Sequence, residues 1–194
     1  MPAISEILDS IQVPALIKDP IINTGTFMKN SKGFQFYSGG YTVVFPVSVG
    51  AEKWAYRCWH VPIKDSQKRY SLISKAIKES KLLYFCSFDY TENGIIVNGE
   101  SYPTTKMRWV DGKDLKKYIC THYHDSRVIK KLAQQFLVMT SDLHKHKIAH
   151  GDLQHGNILV SDTGQIFLVD YDSMYVPEMK DQYTDIITGL IDYQ

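Results

Sequence analysis

Apolar residues change their spacing several times along the chain. In Ser5 to Ile11 they recur at helical intervals, which predicts a short amphipathic helix that two X-Pro steps then end. From Phe34 to Trp59 the pattern shifts to β-rich runs, FQFY, YTVVFPVSV and KWAYRCW, separated by Gly39-Gly40 and by Gly50-Ala51. These runs predict three antiparallel strands.

The pattern returns to helical spacing between Asp65 and Ser80, which predicts one helix with Asp65 or Ser66 as its N-cap. The runs LLYFCSFDY and GIIVNG then predict two strands joined by a turn at Thr91 to Gly94, and TTKMRWV predicts a further strand. We expect these elements to form a five-stranded antiparallel lobe that carries one helix, one strand fewer than the six runs.

A second, helical part follows. One broad apolar stripe runs from Ser126 to His146, which predicts a long helix. After it, IAHGDLQHGNILV, a turn at Thr163-Gly164 and QIFLVDYD predict a loop followed by a β-hairpin.

Charge and composition exclude several classes. The net charge of +1 provides no basic field for nucleic acid or anionic membrane, and no apolar stretch approaches the roughly 20 residues of a membrane span. Without a signal-peptide pattern, the sequence favours a cytoplasmic protein that binds neither nucleic acid nor membrane. Cys58, Cys86 and Cys120 lack metal-ligand spacing, and we expect buried thiols.

The run from His150 to Asn157 carries the most specific chemistry. Phosphoryl transfer needs a carboxylate near the attacking hydroxyl and oxygen ligands that hold Mg²⁺ against the phosphates. Asp152 and Asn157 lie five residues apart on one predicted loop, and Asp170 lies on the facing hairpin arm. This set has the residue types for both tasks.

HGDLQHGN resembles the catalytic loop of protein kinases, and Asp170-Tyr171-Asp172 stands where that family has DFG. The resemblance extends over roughly 34–175 and is closest to divergent, bacterial-type members. It implies that Asp152 is the catalytic base, that Asn157 and Asp170 are magnesium ligands, and that Leu159 lies beneath the adenine of ATP.

The same resemblance implies a nucleotide site upstream. Gly39 and Gly40 stand at the glycine-rich loop, whose outer two glycines are missing, and Val44 matches its valine. Ala55 would line the adenine pocket. Arg57 replaces the phosphate-binding lysine, and the following helix has no central glutamate to pair with it.

The run from Lys106 to Gly112 resembles the kinase hinge. Met107 would be the gatekeeper, and the backbone of Arg108, Trp109 and Val110 would bind adenine. Asp114 would reach the ribose or, alternatively, cap a helix.

The expected fold is therefore α+β: a two-lobed protein-kinase-like fold with a five-stranded antiparallel N-lobe carrying one helix and a truncated helical C-lobe. We expect a lead-in at 1–33, an N-lobe with hinge at 34–112 and a partial C-lobe at 113–194. A complete C-lobe needs roughly another hundred residues after Asp170. We expect the shortened lobe to leave apolar surface on the helix at 126–146, which favours self-association.

Three functions fit these residues. The first is an ATP- and Mg²⁺-dependent kinase that phosphorylates a protein Ser/Thr hydroxyl. The second is a pseudokinase that binds a protein regulator, which Arg57 and the incomplete glycine loop favour. The third is a small-molecule phosphotransferase similar to aminoglycoside and choline kinases, which Gln154 keeps open because it replaces the lysine common to Ser/Thr kinases.

Overall fold

The computed structural model describes residues 1–62 and 66–180. They fall into two compact units, one formed by Met1–Ser74 and Ser87–Trp109, the other by Lys75–Cys86 and the described residues from Val110 onward. Within the described residues the class is α+β with four α-helices and antiparallel sheets, which confirms the predicted fold class. The predicted domain boundaries and two-lobed arrangement stay predictions.

The first unit is built on one antiparallel sheet. Its order is β1-β5-β6-β8-β7, and β4 also pairs with β5, so the sheet has six strands in the described part of the chain instead of the predicted five. A separate small hairpin pairs β2 with β3. The strands are β1 (Thr26–Phe27), β2 (Lys29–Asn30), β3 (Gly33–Phe34), β4 (Tyr37–Ser38), β5 (Thr42–Val49), β6 (Glu52–Trp59), β7 (Phe88–Val97) and β8 (Glu100–Arg108).

The main core of this unit lies on one face of that sheet. Alternate residues of the strands point to that face because side chains alternate along a strand. Helix α1 (Ile4–Ser10), short 3₁₀ turns at Pro14–Leu16 and Ile22–Thr24, and β1 cover it. The cluster buries Ile7, Ile11, Ile17, Ile22, Phe27, Val43, Phe45, Val47, Trp54, Tyr56, Cys58, Ile95 and Val97.

Helix α2 (Ser66–Ser80) is attached to the sheet through aromatic side chains. The ring of Tyr70 stacks on that of Tyr90 with centroids 5.9 Å apart and planes 13° from parallel. It also contacts Trp59 at 5.0 Å. Because Tyr70 and Trp59 are almost fully buried, this cluster fixes the first half of the helix.

The second unit contains helices α3 (Leu115–His122) and α4 (Ser126–Lys145) and a three-stranded sheet in the order β11-β10-β9. The strands are β9 (Lys113–Asp114), β10 (Ile158–Val160) and β11 (Ile166–Leu168), and a 3₁₀ turn at Pro177–Met179 follows. The carboxylate of Asp125 caps α4 by accepting from the backbone N–H groups of Arg127 and Val128. The predicted long helix and hairpin are both present, while α3 was not predicted.

The turn predicted at Thr91 to Gly94 is wrong. Strand β7 continues through this region with a bulge between Thr91 and Ile95. The hairpin instead turns at Asn98-Gly99, where φ is 51° and 84°, the left-handed pair that a two-residue type I′ turn requires.

Other predictions also need correction. The run FQFY is not one strand, since only its ends belong to β3 and β4. The run LLYFCSFDY enters a strand only at Phe88. Residue 65, proposed as a helix cap, lies outside the described residues. Cys58 and Cys86 are buried as expected, but Cys120 is exposed.

No helix within 1–62 and 66–180 combines the length and the apolar character needed to cross a membrane.

Candidate active site

The loop before β10 brings Asp152 and Asn157 into direct contact. The side-chain amide of Asn157 donates from Nδ2 to Asp152 Oδ2 at 2.7 Å and to the Asp152 carbonyl oxygen at 3.0 Å. Gln154 Nε2 also donates to Asp152 Oδ2, at 3.3 Å. Both amides converge on one carboxylate oxygen, so they fix the orientation of the Asp152 side chain.

The β-hairpin places Asp170 at the same end as Asn157. Ile158 pairs with Leu168 across β10 and β11, so the residues just outside that pair lie side by side. The N–H of Val169 donates to the Asn157 carbonyl at 3.0 Å, and Asp170 follows directly. The three predicted residues therefore gather at one end of one hairpin, through short-range links within the second unit.

Asp170 has a strained backbone. Its φ of 64° lies in the left-handed region, which costs a non-glycine residue roughly 1–2 kcal/mol. Strain of this kind persists where the surrounding structure enforces it, commonly at functional sites. The next residue, Tyr171, holds the backbone of Asp170 in this conformation. Its buried hydroxyl donates to the Leu168 carbonyl at 2.7 Å and accepts from the Cys86 backbone N–H at 3.0 Å.

His150 and Gly151 shape the start of the loop. His150 Nε2 donates to the Val169 carbonyl at 3.0 Å, which ties the loop to the segment before Asp170. Burial lowers the pKa of His150, although its hydrogen bond to Val169 and the nearby Asp152 act in the opposite direction. The ring is therefore neutral near pH 7, and its part is structural.

The donor set fits a magnesium ion. Because Asn157 Nδ2 faces the Asp152 carboxylate, the amide oxygen of Asn157 is directed away from Asp152 and is of the type that Mg²⁺ prefers. Asp170 adds a carboxylate. The described residues contain no group of three His, Cys, Asp or Glu side chains that would form a dedicated cage. Mg²⁺ typically takes one or two protein ligands together with phosphate oxygens and water, and Asn157 and Asp170 would supply two.

In the first unit, strand register places the predicted adenine-pocket residues on one face of the sheet. Val44 is the partner of Arg57 across β5 and β6, and Ala55 is the partner of Met107 across β6 and β8. This face is opposite to the one that buries Tyr56 and Cys58, since neighbouring residues in a strand point to opposite faces. All four residues are partly exposed, so the face is open to a ligand.

Arg57 contacts a hydroxyl group and an aromatic ring. Its Nε donates to the Thr42 hydroxyl at 2.9 Å, and its guanidinium lies 5.8 Å from the Trp59 ring. Lys53, a neighbouring cation on the same strand, lies 4.3 Å over the Trp109 ring.

Gly39 and Gly40 form the tip of the β4–β5 hairpin. The N–H of Gly39 donates to the Thr42 carbonyl at 2.9 Å, which closes the turn. Both glycines are exposed, and a Cβ added at either would meet nothing within 4 Å. The hairpin therefore offers open backbone but does not itself demand glycine for steric reasons.

At the predicted hinge, Arg108 and Trp109 are held by β6. The Arg108 guanidinium pairs with Glu52 and lies 5.3 Å from the Trp54 ring. The backbone N–H of Trp109 donates to the Lys53 carbonyl at 2.9 Å. This N–H is therefore directed at β6 and not at a ligand. Trp109 also contacts Tyr37 at 6.0 Å.

Asp114 and Leu159 lie next to each other in the second unit as partners across β9 and β10. The Asp114 carboxylate accepts from the Lys117 N–H at 2.8 Å, which makes it the N-cap of α3. This contact and the Lys117 ammonium lower the pKa of Asp114. Of the two roles considered for Asp114, ribose contact and helix cap, its observed contacts are those of the helix cap. Val110, the last predicted hinge residue, is partly exposed in the same unit.

Comparison with known proteins gives one family. Residues 103–194 match the ABC1 atypical kinase-like domain. The matched region is kinase-like. This confirms the predicted resemblance to the protein-kinase-like superfamily, and a kinase-like domain of this kind is either a phosphotransferase or a pseudokinase. No curated protein matches the chain.

The kinase-like match includes Met107, Asp152, Asn157 and Asp170 but begins after the strands that carry Gly39, Ala55 and Arg57. Residue-level roles therefore stay predictions. Three positions that shape the site were missed from the sequence: Thr42 as the partner of Arg57, Gln154 as a donor to Asp152, and Tyr171 as the anchor behind Asp170. Of these three residues, only Tyr171 was marked in the sequence, because it lies within the DYD run.

Proposed function

We propose that this protein is an ATP- and Mg²⁺-dependent phosphotransferase that transfers the γ-phosphate to a Ser or Thr hydroxyl of a protein. The observation that carries this proposal is the hydrogen-bonded set at one hairpin end: Asp152 held by Asn157, with Asp170 one residue beyond the Asn157–Val169 contact.

The chemistry assigned to Asp152 follows from its contacts. Asn157 and Gln154 both donate to Oδ2, so Oδ1 is the oxygen that would orient the acceptor hydroxyl. As the hydroxyl oxygen forms its bond to the γ-phosphorus and the bond from that phosphorus to the bridging oxygen breaks, the hydroxyl proton passes to Asp152. The products are ADP and the phosphorylated protein.

The remaining residues bind and position ATP. Asn157 and Asp170 would hold the magnesium ion, which neutralises charge on the phosphates when bound. Val44, Ala55 and Met107 would contact adenine, and Arg57 would meet phosphate oxygens.

A pseudokinase is the second candidate, and the Arg57 contact favours it. An arginine bound to Thr42 is less adaptable than a lysine, and no central glutamate on α2 is present to orient it. In this case the protein binds nucleotide and a protein regulator without transferring phosphate.

Calorimetric titration of ATP with and without Mg²⁺ tests the nucleotide site. We expect binding that requires Mg²⁺ and is lost in Asp170→Ala. Asp162→Asn is the matched control, because Asp162 is an exposed residue of the same hairpin, and it should bind like the unchanged protein.

Radiolabelled phosphate transfer to Ser/Thr peptides, to their Ala counterparts and to a panel of small hydroxyl compounds tests the reaction. We expect Asp152→Asn to retain ATP binding while transfer falls by about 10²-fold or more. Binding without transfer by the unchanged protein would support the pseudokinase. Absence of ATP binding, or transfer that survives Asp152→Asn, would refute the proposed site.

A further inference from the structure

The second unit contains a groove lined by residues outside the loop from His150 to Asn157. Its volume is about 630 Å³, and it runs between α4 and the segment 81–84 that follows α2. Leu82, Leu83, Tyr84 and Val138 line it together with Ile166 of β11. This volume is within the roughly 300–1,000 Å³ that is typical of ligand pockets.

The walls of the groove are fixed by hydrogen bonds. The Tyr84 hydroxyl donates to Asp142 Oδ2 at 3.1 Å and so connects the 81–84 segment to α4. Gln165 Nε2 donates to the Leu83 carbonyl at 3.4 Å and connects the same segment to the β10–β11 loop. A surface whose walls are held in this way requires little ordering when a ligand binds.

Apolar side chains at the groove are unusually exposed. Leu83 is 76% exposed and Val138 is 54% exposed. Single exposed apolar residues are common on protein surfaces, but two at one concave site mark a binding surface. Burying both would contribute roughly 1.5–3 kcal/mol each.

The charge at the groove is positive. Lys81 and Lys131 line it, and the Asp142 carboxylate is offset by Lys145, whose Nζ lies 3.3 Å from its Oδ1. In a two-fold dimer formed through this surface, each lysine would meet the same basic surface of the other copy. Charge therefore disfavours a second copy here and favours an acidic partner.

We propose that this groove docks an amphipathic helix of a partner protein, with apolar residues three and four positions apart and acidic residues beside them. The occupant is a helix and not an added strand, because the nearby backbone is already engaged: the Leu168 N–H donates to the Tyr84 carbonyl, and Gln165 occupies the Leu83 carbonyl. Affinity then comes from side chains, which is how helices bind in grooves.

Fluorescence anisotropy with two labelled synthetic helices tests this proposal. One helix has Leu at spacings of three and four with Glu elsewhere, and the other has Lys in place of Glu. Two matched pairs of variants use neighbours on α4: Val138→Asp against Leu137→Asp, and Lys131→Glu against Lys130→Glu. Leu137 is 70% exposed and lies outside the groove lining, as does Lys130.

We expect the acidic helix to bind at least about tenfold more tightly than the basic helix. Val138→Asp and Lys131→Glu should each weaken that binding at least about fivefold, while Leu137→Asp and Lys130→Glu should change it little. The proposal is overturned if the acidic and the basic helix bind equally well, or if neither binds. It is also overturned if the two variants of a matched pair weaken binding of the acidic helix to the same extent. Dimerisation in sedimentation that Val138→Asp abolishes also overturns it, because the occupant would then be a second copy. Phosphate transfer plays no part in these readouts, so this result is separate from that of the proposed function.

Discussion

Gly151 lies in the loop before Asp152 at a position where a side chain would clash with neighbouring backbone. Its φ is 80°, and a Cβ added there would lie 2.0 Å from the carbonyl oxygen of Ser173, far inside van der Waals contact. Since Ser173 is buried, that carbonyl has little room to move. We expect Gly151→Ala to lower the free energy of unfolding by about 2–4 kcal/mol, measured by urea denaturation.

Gly156 is the matched control for this prediction. It lies in the same loop, is exposed, and a Cβ there would meet its nearest atom, Gln154 Oε1, at 3.6 Å. Gly156→Ala should therefore change stability by about 0.5 kcal/mol or less. Similar losses for both variants would mean that the contact with Ser173 is not the cause.

His150 makes stability depend on pH. Burial lowers the pKa of His150 from the ordinary value of 6.5, and its Nε2 donates to the Val169 carbonyl. Well above pH 6.5 the ring is neutral in both states and has no effect. As pH falls below 6.5, the unfolded chain takes up a proton that the folded protein does not, so stability falls until the lowered pKa is reached.

We therefore expect the free energy of unfolding to drop between about pH 7.5 and pH 5.5, and the drop to be smaller in His150→Gln, which keeps a side-chain N–H donor. Urea denaturation across this range measures it. His146→Gln, at an exposed histidine, is the control and should leave the slope unchanged. Identical slopes in unchanged protein and His150→Gln would contradict the assignment.

The candidate catalytic residues could be proposed from the sequence because their order and spacing are local. Asp152, Asn157 and Asp170 lie within 19 residues, and one short hairpin brings them together. The environment of Arg57 could not be predicted in this way. Its partner Thr42 comes from a neighbouring strand, and the direction of a long side chain depends on contacts that local pattern does not encode.

At the scale of elements, α2 depends on aromatic packing. Tyr70 is fully buried between Trp59 and Tyr90. We expect Tyr70→Ala to lower the free energy of unfolding by about 3–5 kcal/mol, because it leaves a large cavity beneath the helix. Tyr70→Phe keeps the ring and should cost about 1 kcal/mol. Thermal and urea denaturation measure both, and equal losses would show that the hydroxyl, not ring packing, holds α2.

Element boundaries were predictable where runs of β-forming residues were long, as in β5 and β6, and failed at turns. The residues Thr91 to Gly94 have a turn-like composition, yet Gly94 serves close packing: a Cβ there would lie 1.8 Å from the Thr104 side chain. The dipeptide Asn98-Gly99 was the stronger hairpin signal and marks the true turn. The packing of Gly94 against Thr104, a contact between two strands, explains why the chain turns at Asn98-Gly99 and not at Thr91 to Gly94. The local sequence does not encode that contact.

At the scale of the whole molecule, the N-terminal segment contributes to the core of the first unit. Its isoleucines at positions 7, 11, 17 and 22 are at most 3% exposed. Asp19 adds a buried ion pair: its carboxylate accepts from Lys106 Nζ at 2.7 Å, although the two residues lie 87 positions apart in the sequence. Asp19 also accepts the backbone N–H groups of Ile21 and Ile22. The pair thus joins the first turns of the chain to the strand that carries Met107.

This pair gives a test of how strongly the N-terminal segment is coupled to that strand. Lys106→Met leaves the Asp19 carboxylate buried without its cation, and we expect a loss of about 3–5 kcal/mol in the free energy of unfolding. Adding Asp19→Asn removes the buried charge and keeps an oxygen for the Ile21 and Ile22 N–H groups. The double variant should therefore recover about half or more of the loss. Arg108→Met breaks an exposed pair and should have little effect. If the double variant were as unstable as Lys106→Met alone, the stability would come from the lysine's packing, and the buried charge would not be what couples the two segments.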